Sequence, residues 1–216
     1  RPKNLPTVPT TLSVPATRSD TGGLPTLAAV DLVCRRGNRR LFAGVNFHVG
    51  AGQAMWLRGR NGRGKTSLLR LAAGLSAPES GQITWGGVPV REAASMARRL
   101  VYIAHAGALK DDLSVTESLR FLAQLHGRDD SIAALHAALD RVGMGSRRDA
   151  LVRTLSQGQR RRATLARLAL EREASLWILD EPYDALDSDG IEAVNALLAE
   201  HLALSLDERL RRSWRL

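Results

Sequence analysis

Cysteine, lysine and aromatic side chains are all scarce in this 216-residue sequence. The single cysteine, Cys34, excludes an internal disulfide and fits a reducing compartment. Within an apolar run it is expected to be a small buried hydrophobe rather than a nucleophile. Aromatics make up 4% of the chain, too few to build stacking platforms for single-stranded nucleic acid. No run of about 18 apolar residues occurs, so no segment is long enough to cross a membrane as a helix. No charged-then-apolar signal segment opens the chain. What is present is 44% hydrophobic and 25% charged residues, near globular averages, at a length that buries one sizeable core.

The formal net charge of +9 is almost wholly arginine, since only Lys3, Lys65 and Lys110 are lysines. No basic run is interleaved with aromatics, so no nucleic-acid partner is indicated. The charge reads instead as a solvated face suited to anionic lipid or an acidic partner. Residues 1–26 hold Pro2, Pro6, Pro9, Pro15 and Pro25 among Thr, Ser and Asn. Such a stretch has too little apolar surface to offset its ordering entropy, which predicts a flexible tail ahead of a domain over 27–216.

From Leu27 onward, short apolar runs alternate with glycine-rich or charged turns. Residues 27–33, 41–49, 54–57, 83–85, 101–103 and 176–179 read as strands, the last apolar throughout. Residues 65–75, 115–126, 131–142, 157–172 and 190–203 read as helices, the first closed by Gly74 with Pro78 beyond it. Strands alternating with helices predict an α/β domain with a largely parallel sheet.

After the 54–57 strand the chain reads Gly59-Arg60-Asn61-Gly62-Arg63-Gly64-Lys65-Thr66, the pattern G-x-x-x-x-G-K-[ST] between a strand and an amphipathic helix. Each residue type has a physical reason. The glycines let backbone N–H groups turn inward and approach phosphate oxygens closely. The helix that follows aims its positive end at the same anion. Lys65 is placed to reach the β- and γ-phosphates, and Thr66 to ligate Mg²⁺. Ser67 completes the candidate ATP-binding set, with Lys65 also a catalytic candidate.

A second element is Leu176-Trp177-Ile178-Leu179-Asp180-Glu181-Pro182. Its apolar strand delivers Asp180 to the carboxyl edge of the sheet, where ligands bind in open α/β folds. Asp180 is then the second candidate for Mg²⁺, and Glu181, next in line, is placed to polarise an attacking water.

The third element is Leu155-Ser156-Gln157-Gly158-Gln159, at the start of the helix that precedes the acidic strand. Ser156 and Gly158 there can present a hydroxyl and N–H groups to phosphate, with Gln159 beside them. The stretch resembles the LSGGQ signature of ATP-binding cassette proteins, with Gln157 in place of the first glycine. Asp184-Ala185-Leu186-Asp187 matches that family's D-loop. On these motifs, spanning about residues 27–203, the chain is identified as a member of the ATP-binding cassette family. The resemblance implies a P-loop NTPase with a RecA-like core, an antiparallel β-subdomain and a helical signature subdomain near 107–158. It also implies ATP and Mg²⁺ as ligands and transmembrane transporter subunits as partners. A second cassette, normally in a homodimer, would close head to tail so that Ser156 and Gly158 face phosphate held by the other copy.

One branch of the family is similar over Tyr102-Ile103-Ala104-His105, Leu109-Lys110, 113–119, 62–75 and 176–183: the CcmA-type ATP-binding subunit of the haem exporter used in cytochrome c maturation. That resemblance implies a peripheral subunit on the cytoplasmic face of the bacterial inner membrane. There are three departures. Arg36 stands near where cassettes usually stack an aromatic on adenine. His105-Ala106 replaces the usual glutamine that touches Mg²⁺, and His105 is either a partner contact or an ordinary strand-end histidine. At the carboxyl end the family's β-branched strand, closing in Thr-His or Ser-His, is replaced by Leu204-Ser205-Leu206-Asp207-Glu208-Arg209-Leu210-Arg211-Arg212-Ser213-Trp214. His201 lies too early, within a helix, to stand in for that histidine. Leu198, Leu202, Leu206, Leu210 and Trp214 form an amphipathic stripe suited to lipid or a partner, and a shifted reading frame accounts for it equally. Either way the sheet is expected to lack a carboxyl-terminal strand. Two functions remain open: an energy-transducing ATPase, or a cassette that closes on ATP without turnover.

Overall fold

β1 (Leu27–Arg36) turns one face to the core, so buried and exposed residues alternate along it. Leu27 and Ala29 point inward, and then the phase changes and Leu32 and Cys34 do. Asp31 makes the change: its φ is 48°, and the ladder slips register between Ala29 and Leu32. Asn46 braces this bulge, accepting from the Asp31 N–H at 2.9 Å and donating to the Asp31 carboxylate at 3.1 Å. A Cβ on Gly81 would collide with the Asp31 carbonyl, so only glycine fits opposite.

The computed structural model describes residues 25–94, 99–173 and 175–213, with side chains through residue 204. The tail expected over 1–26 therefore lies outside the described residues apart from Pro25 and Thr26. So do the side chains of Leu206, Leu210 and Trp214.

Four strands form an antiparallel sheet in the order β2-β1-β3-β4, with β2 at Arg39–Val49, β3 at Ser80–Trp85 and β4 at Val88–Pro89. The second sheet has two parallel strands, β5 (Leu100–Ile103) and β6 (Leu176–Leu179). The helices are α1 (Lys65–Ala72), α2 (Val115–Leu125), α3 (Ile132–Arg141), α4 (Gln157–Leu165) and α5 (Ser188–Ser213). One apolar core packs Leu27, Leu32 and Ile83 against Leu71 of α1 and Ile178 of β6. The other joins Ile103 of β5 to Leu119, Leu139, Leu165 and Val194 of the four later helices. Cys34 is buried, as expected, and burial first, then the Glu79 carboxylate, pushes its thiol above the ordinary value.

Several element boundaries differ from expectation. Residues 53–60 have no regular structure, so the strand expected over 54–57 is absent. The parallel sheet has two strands among the described residues rather than dominating the fold. Helix α1 stops at Ala72, short of Leu75, because Gly74 turns left-handed at φ 71°. Helix α4 ends at Leu165 and tightens into a 3-10 turn over Ala166–Leu170. The Thr164 hydroxyl donates back to the Arg160 carbonyl at 2.8 Å near that change. Helix α5 begins at Ser188 and runs beyond Ala203. Among the described residues, no helix is long and apolar enough to cross a membrane.

Candidate active site

The glycine-rich loop is held open by backbone conformations that glycine adopts without strain. Gly62 and Gly64 have φ of 75° and 93°. A Cβ at Gly64 would lie 3.1 Å from Leu41 Cβ and from Phe42 Cδ1, so β2 presses on the loop where α1 begins. Helix α1 has no side-chain cap, which leaves its first N–H groups and its positive end directed at the loop. Lys65 Nζ donates to the Gly59 carbonyl at 2.9 Å and to Asn61 Oδ1 at 3.1 Å. It also stands 3.9 Å from Glu181 Oε1. Arg60, Asn61, Arg63 and Thr66 are exposed, and Ser67 is half-buried at the helix start.

β6 delivers the acidic pair. Asp180 donates its backbone N–H to the Ile103 carbonyl at 2.9 Å, continuing the β5–β6 ladder. Its side chain is 2% exposed, and Oδ2 has no hydrogen-bond partner. A buried carboxylate oxygen without a donor is costly unless a cation meets it. With the Thr66 hydroxyl it offers the hard oxygen donors that Mg²⁺ requires, so these residues fit that ion. Glu181 follows at φ 50°, a conformation costly for a residue with a Cβ. Its carboxylate is 3.5 Å from His105 Nδ1, and His105 also stands 3.9 Å from Asp184 Oδ2.

Arg161 over-determines that bend, and sequence reading missed it. It is 6% exposed, and its guanidinium donates to three carbonyls: Ala104 at 3.0 Å, Asp180 at 2.6 Å and Glu181 at 2.6 Å. It thus ties the ends of β5 and β6 together beneath the acidic pair. The run Arg160-Arg161-Arg162 reads as a charged helix face, yet Arg161 sits four residues before the fully buried Leu165. That spacing places it on the inner stripe and was the available signal.

The signature segment is a capped helix start. Ser156 Oγ accepts from the Gln159 N–H at 3.2 Å, and Gln159 Oε1 accepts from the Ser156 N–H at 3.1 Å, a capping box. Gly158 is pressed against the D-loop, where a Cβ would lie 2.6 Å from the Ala185 carbonyl oxygen. Arg162 pairs with Asp187 there, and Arg160 with Asp111 at 2.6 Å. Among the described residues, no hydrogen bond joins 156–159 to the glycine-rich loop. Lys65, Asp180 and Glu181 line one cavity, and Ser156, Gly158 and Gln159 are not among the described residues that line it. His201, within α5, is buried and stacks on Trp177 with centroids 3.8 Å apart.

The family model for ABC transporters matches residues 42–184. The chain is 46% identical over 180 residues to the cytochrome c biogenesis ATP-binding export protein CcmA of Nitrosospira multiformis, covering 83% of this chain and 87% of that one. It is 47% identical over 176 residues to the protein of that name from Pseudomonas putida, covering 81% and 83%. Among solved structures, an ATP-binding subunit of an ABC transporter superposes with a TM-score of 0.70 at 27% identity, covering 82% of this chain and 75% of that one. A bacterial Atm1-family ABC exporter with ATP bound shares the fold at a TM-score of 0.74 and 21% identity, covering 89% and 35%.

Proposed function

This chain belongs to the ABC transporter family of ATP-binding subunits, and we propose that it hydrolyses Mg·ATP to drive a haem-handling exporter of cytochrome c biogenesis. The observation that carries the reading is the convergence of the Lys65 ammonium, within 3.9 Å of Glu181, with a buried Asp180 oxygen that lacks a partner. Backbone N–H groups of residues 59–67 would cradle the phosphates, and Lys65 would bind the β- and γ-oxygens. Its ammonium is already held over the loop by Gly59 and Asn61, so it meets the nucleotide with little rearrangement. Thr66 and Asp180 would hold Mg²⁺, which would neutralise phosphate charge there. Glu181 accepts the proton of the attacking water, with its backbone fixed by Arg161.

That the signature residues do not line the cavity holding Lys65, Asp180 and Glu181 supports a head-to-tail homodimer. Ser156, Gly158 and Gln159 of one copy then complete the nucleotide site of the other. The cargo assignment rests on the names of the curated relatives. On this reading the chain works against transmembrane subunits at the cytoplasmic face of the inner membrane. A second reading, closure on ATP without turnover, is favoured by His105-Ala106 where the family usually carries glutamine and by a parallel sheet of two strands among the described residues.

The test is Mg·ATP hydrolysis by the purified chain, alone and with transmembrane subunits of a cytochrome c biogenesis exporter, with Glu181→Gln as the blank. Turnover above the blank, raised further by haem in the reconstituted complex, is the expected result. Nucleotide binding with no turnover selects the second reading. Turnover indifferent to haem removes the cargo assignment.

A further inference from the structure

β5 ends at Ile103, and His105 stands just beyond it, beside the acidic turn that follows β6. One guanidinium holds both strand ends. Arg161 donates to the carbonyl of Ala104, which precedes His105, and to those of Asp180 and Glu181. The Asp184 N–H donates to the Glu181 carbonyl at 3.1 Å, closing the turn that carries a further carboxylate. An imidazole and two carboxylates therefore hang from one clamped piece of backbone. His105 Nδ1 lies 3.5 Å from Glu181 Oε2 and 3.9 Å from Asp184 Oδ2.

This cluster does little for the fold. The His105 side chain is 58% exposed, and Glu181 and Asp184 are also open to water. Ion pairs in that setting add little to stability. Their effect lies in where the Glu181 carboxylate points. Lys65 Nζ stands 3.9 Å from Oε1, while the imidazole faces Oε2. When nucleotide fills the loop, the ammonium is drawn to phosphate oxygens and leaves Oε1. Of these two groups, the imidazole alone still faces the carboxylate. A glutamate side chain has three rotatable bonds and, without a partner, samples several rotamers. Arg161 fixes where that side chain starts and not where its carboxylate ends. Misplacing a reacting group by about 1 Å costs on the order of a hundredfold in rate.

We propose that His105 is a positioning residue for hydrolysis: through a proton on Nδ1, its imidazole holds the Glu181 carboxylate in the pose that meets the attacking water. Asp184 steadies the imidazole from the same turn. The inference rests on Glu181 being the acceptor of the water's proton. It gives His105 a task within the chain's own site, in place of a contact with a transmembrane partner. Both carboxylates lie on the Nδ1 side, so one proton there answers both and sets the tautomer. An asparagine amide can reach the place of Nδ1, whereas the longer glutamine carries its amide to the place of Nε2.

The test compares the full chain with His105→Ala, His105→Asn and His105→Gln in steady-state Mg·ATP hydrolysis, with Glu181→Gln as the blank. His105→Ala should lower kcat about tenfold and leave KM for ATP within about twofold. His105→Asn should recover most of the loss, and His105→Gln should not. Thermal unfolding midpoints should stay within about 2 °C of the parent in all three. A further readout is independent of turnover. At about pH 8 the Nδ1 resonance of nitrogen-labelled His105, assigned by its loss in His105→Ala, should be that of a protonated nitrogen. The double variant Glu181→Gln/Asp184→Asn should move it toward the unprotonated value. Unchanged kcat in His105→Ala, or equal recovery by asparagine and glutamine, would overturn the proposal. A raised KM with kcat intact would place His105 in nucleotide binding and overturn it too. So would a loss confined to assays with transmembrane subunits, which would make His105 a partner contact. Parent turnover no higher than the Glu181→Gln blank is a separate failure, visible before any His105 variant is compared: it removes the hydrolytic reading, and the proposal with it.

Discussion

Replacing Arg161 with methionine tests whether the acidic pair is positioned by the helix behind it. The guanidinium is 6% exposed and donates three bonds, at 3.0, 2.6 and 2.6 Å, to the carbonyls of Ala104, Asp180 and Glu181. Each hydrogen bond from a charged donor contributes about 1.5–3 kcal/mol net, and three that share one group do not add. Two terms oppose them. Burial pulls the guanidinium below its ordinary value, against the Asp184, Asp180 and Glu181 carboxylates that push it back. Its Nε is also buried without an acceptor, and methionine removes that penalty. The net expectation is a loss of about 2–4 kcal/mol.

With a urea slope of about 2 kcal/mol/M, that loss lowers the unfolding midpoint by roughly 1–2 M. Arg161→Lys keeps the charge but cannot fork across three carbonyls, and should recover about half of the loss. Hydrolysis supplies the second readout. Because Glu181 is held at φ 50°, freeing its carbonyl should lower the turnover number more than it weakens nucleotide affinity. A methionine variant within about 0.5 kcal/mol of the parent would refute the energetic argument. A destabilised variant with unchanged turnover, assayed where it is still folded, would refute the positioning argument.

The remaining predictions concern single features. Gly64→Ala should weaken ATP binding by about tenfold or more, because φ 93° strains any residue with a Cβ and Leu41 and Phe42, 3.1 Å from it, would have to give way. Gly59→Ala, with nothing within 4 Å of the added carbon, should cost far less in the same nucleotide titration. Ser156→Ala removes one half of a capping box and should cost about 1 kcal/mol in thermal unfolding, with Ser156→Asp restoring most of it. The pH prediction rests on His201, whose imidazole burial holds below the ordinary 6.5, against a backbone hydrogen bond at Ser175. The folded state thus prefers neutral imidazole, so the stabilisation is complete above the unfolded value and is lost as pH falls through the folded one. Unfolding midpoints should drop as pH falls below about 6.5, and His201→Gln should flatten that part of the profile.

What could be read from the chain was whatever its chemistry confines to neighbouring positions. Phosphate binding needs glycines, a lysine and a hydroxyl within one turn of backbone, so residues 59–66 announced themselves without a fold. The strand Leu176–Leu179 was equally plain, since four apolar residues ending in two acids have one sensible placement at a sheet edge. The helix starts at Ser114, Ser131 and Ser156 also followed local rules, because a cap is made within four residues. The bulge at Asp31 was hidden, because it depends on Asn46 and Gly81 across two ladders.

The same distinction accounts for the two misreadings that bear on function. Arg161 belongs to a run of three arginines whose solvent preference is identical. Only the carbonyl ends of two strands, distant in sequence, single it out for burial. Residues 54–57 have the composition of a strand, yet a strand exists by virtue of its partner. Their apolar side chains and the unpaired edge of β6 face a common gap, so the propensity is present and the pairing is missing. The strand expected there did not form, because composition supplies the propensity and only a neighbouring backbone supplies the ladder.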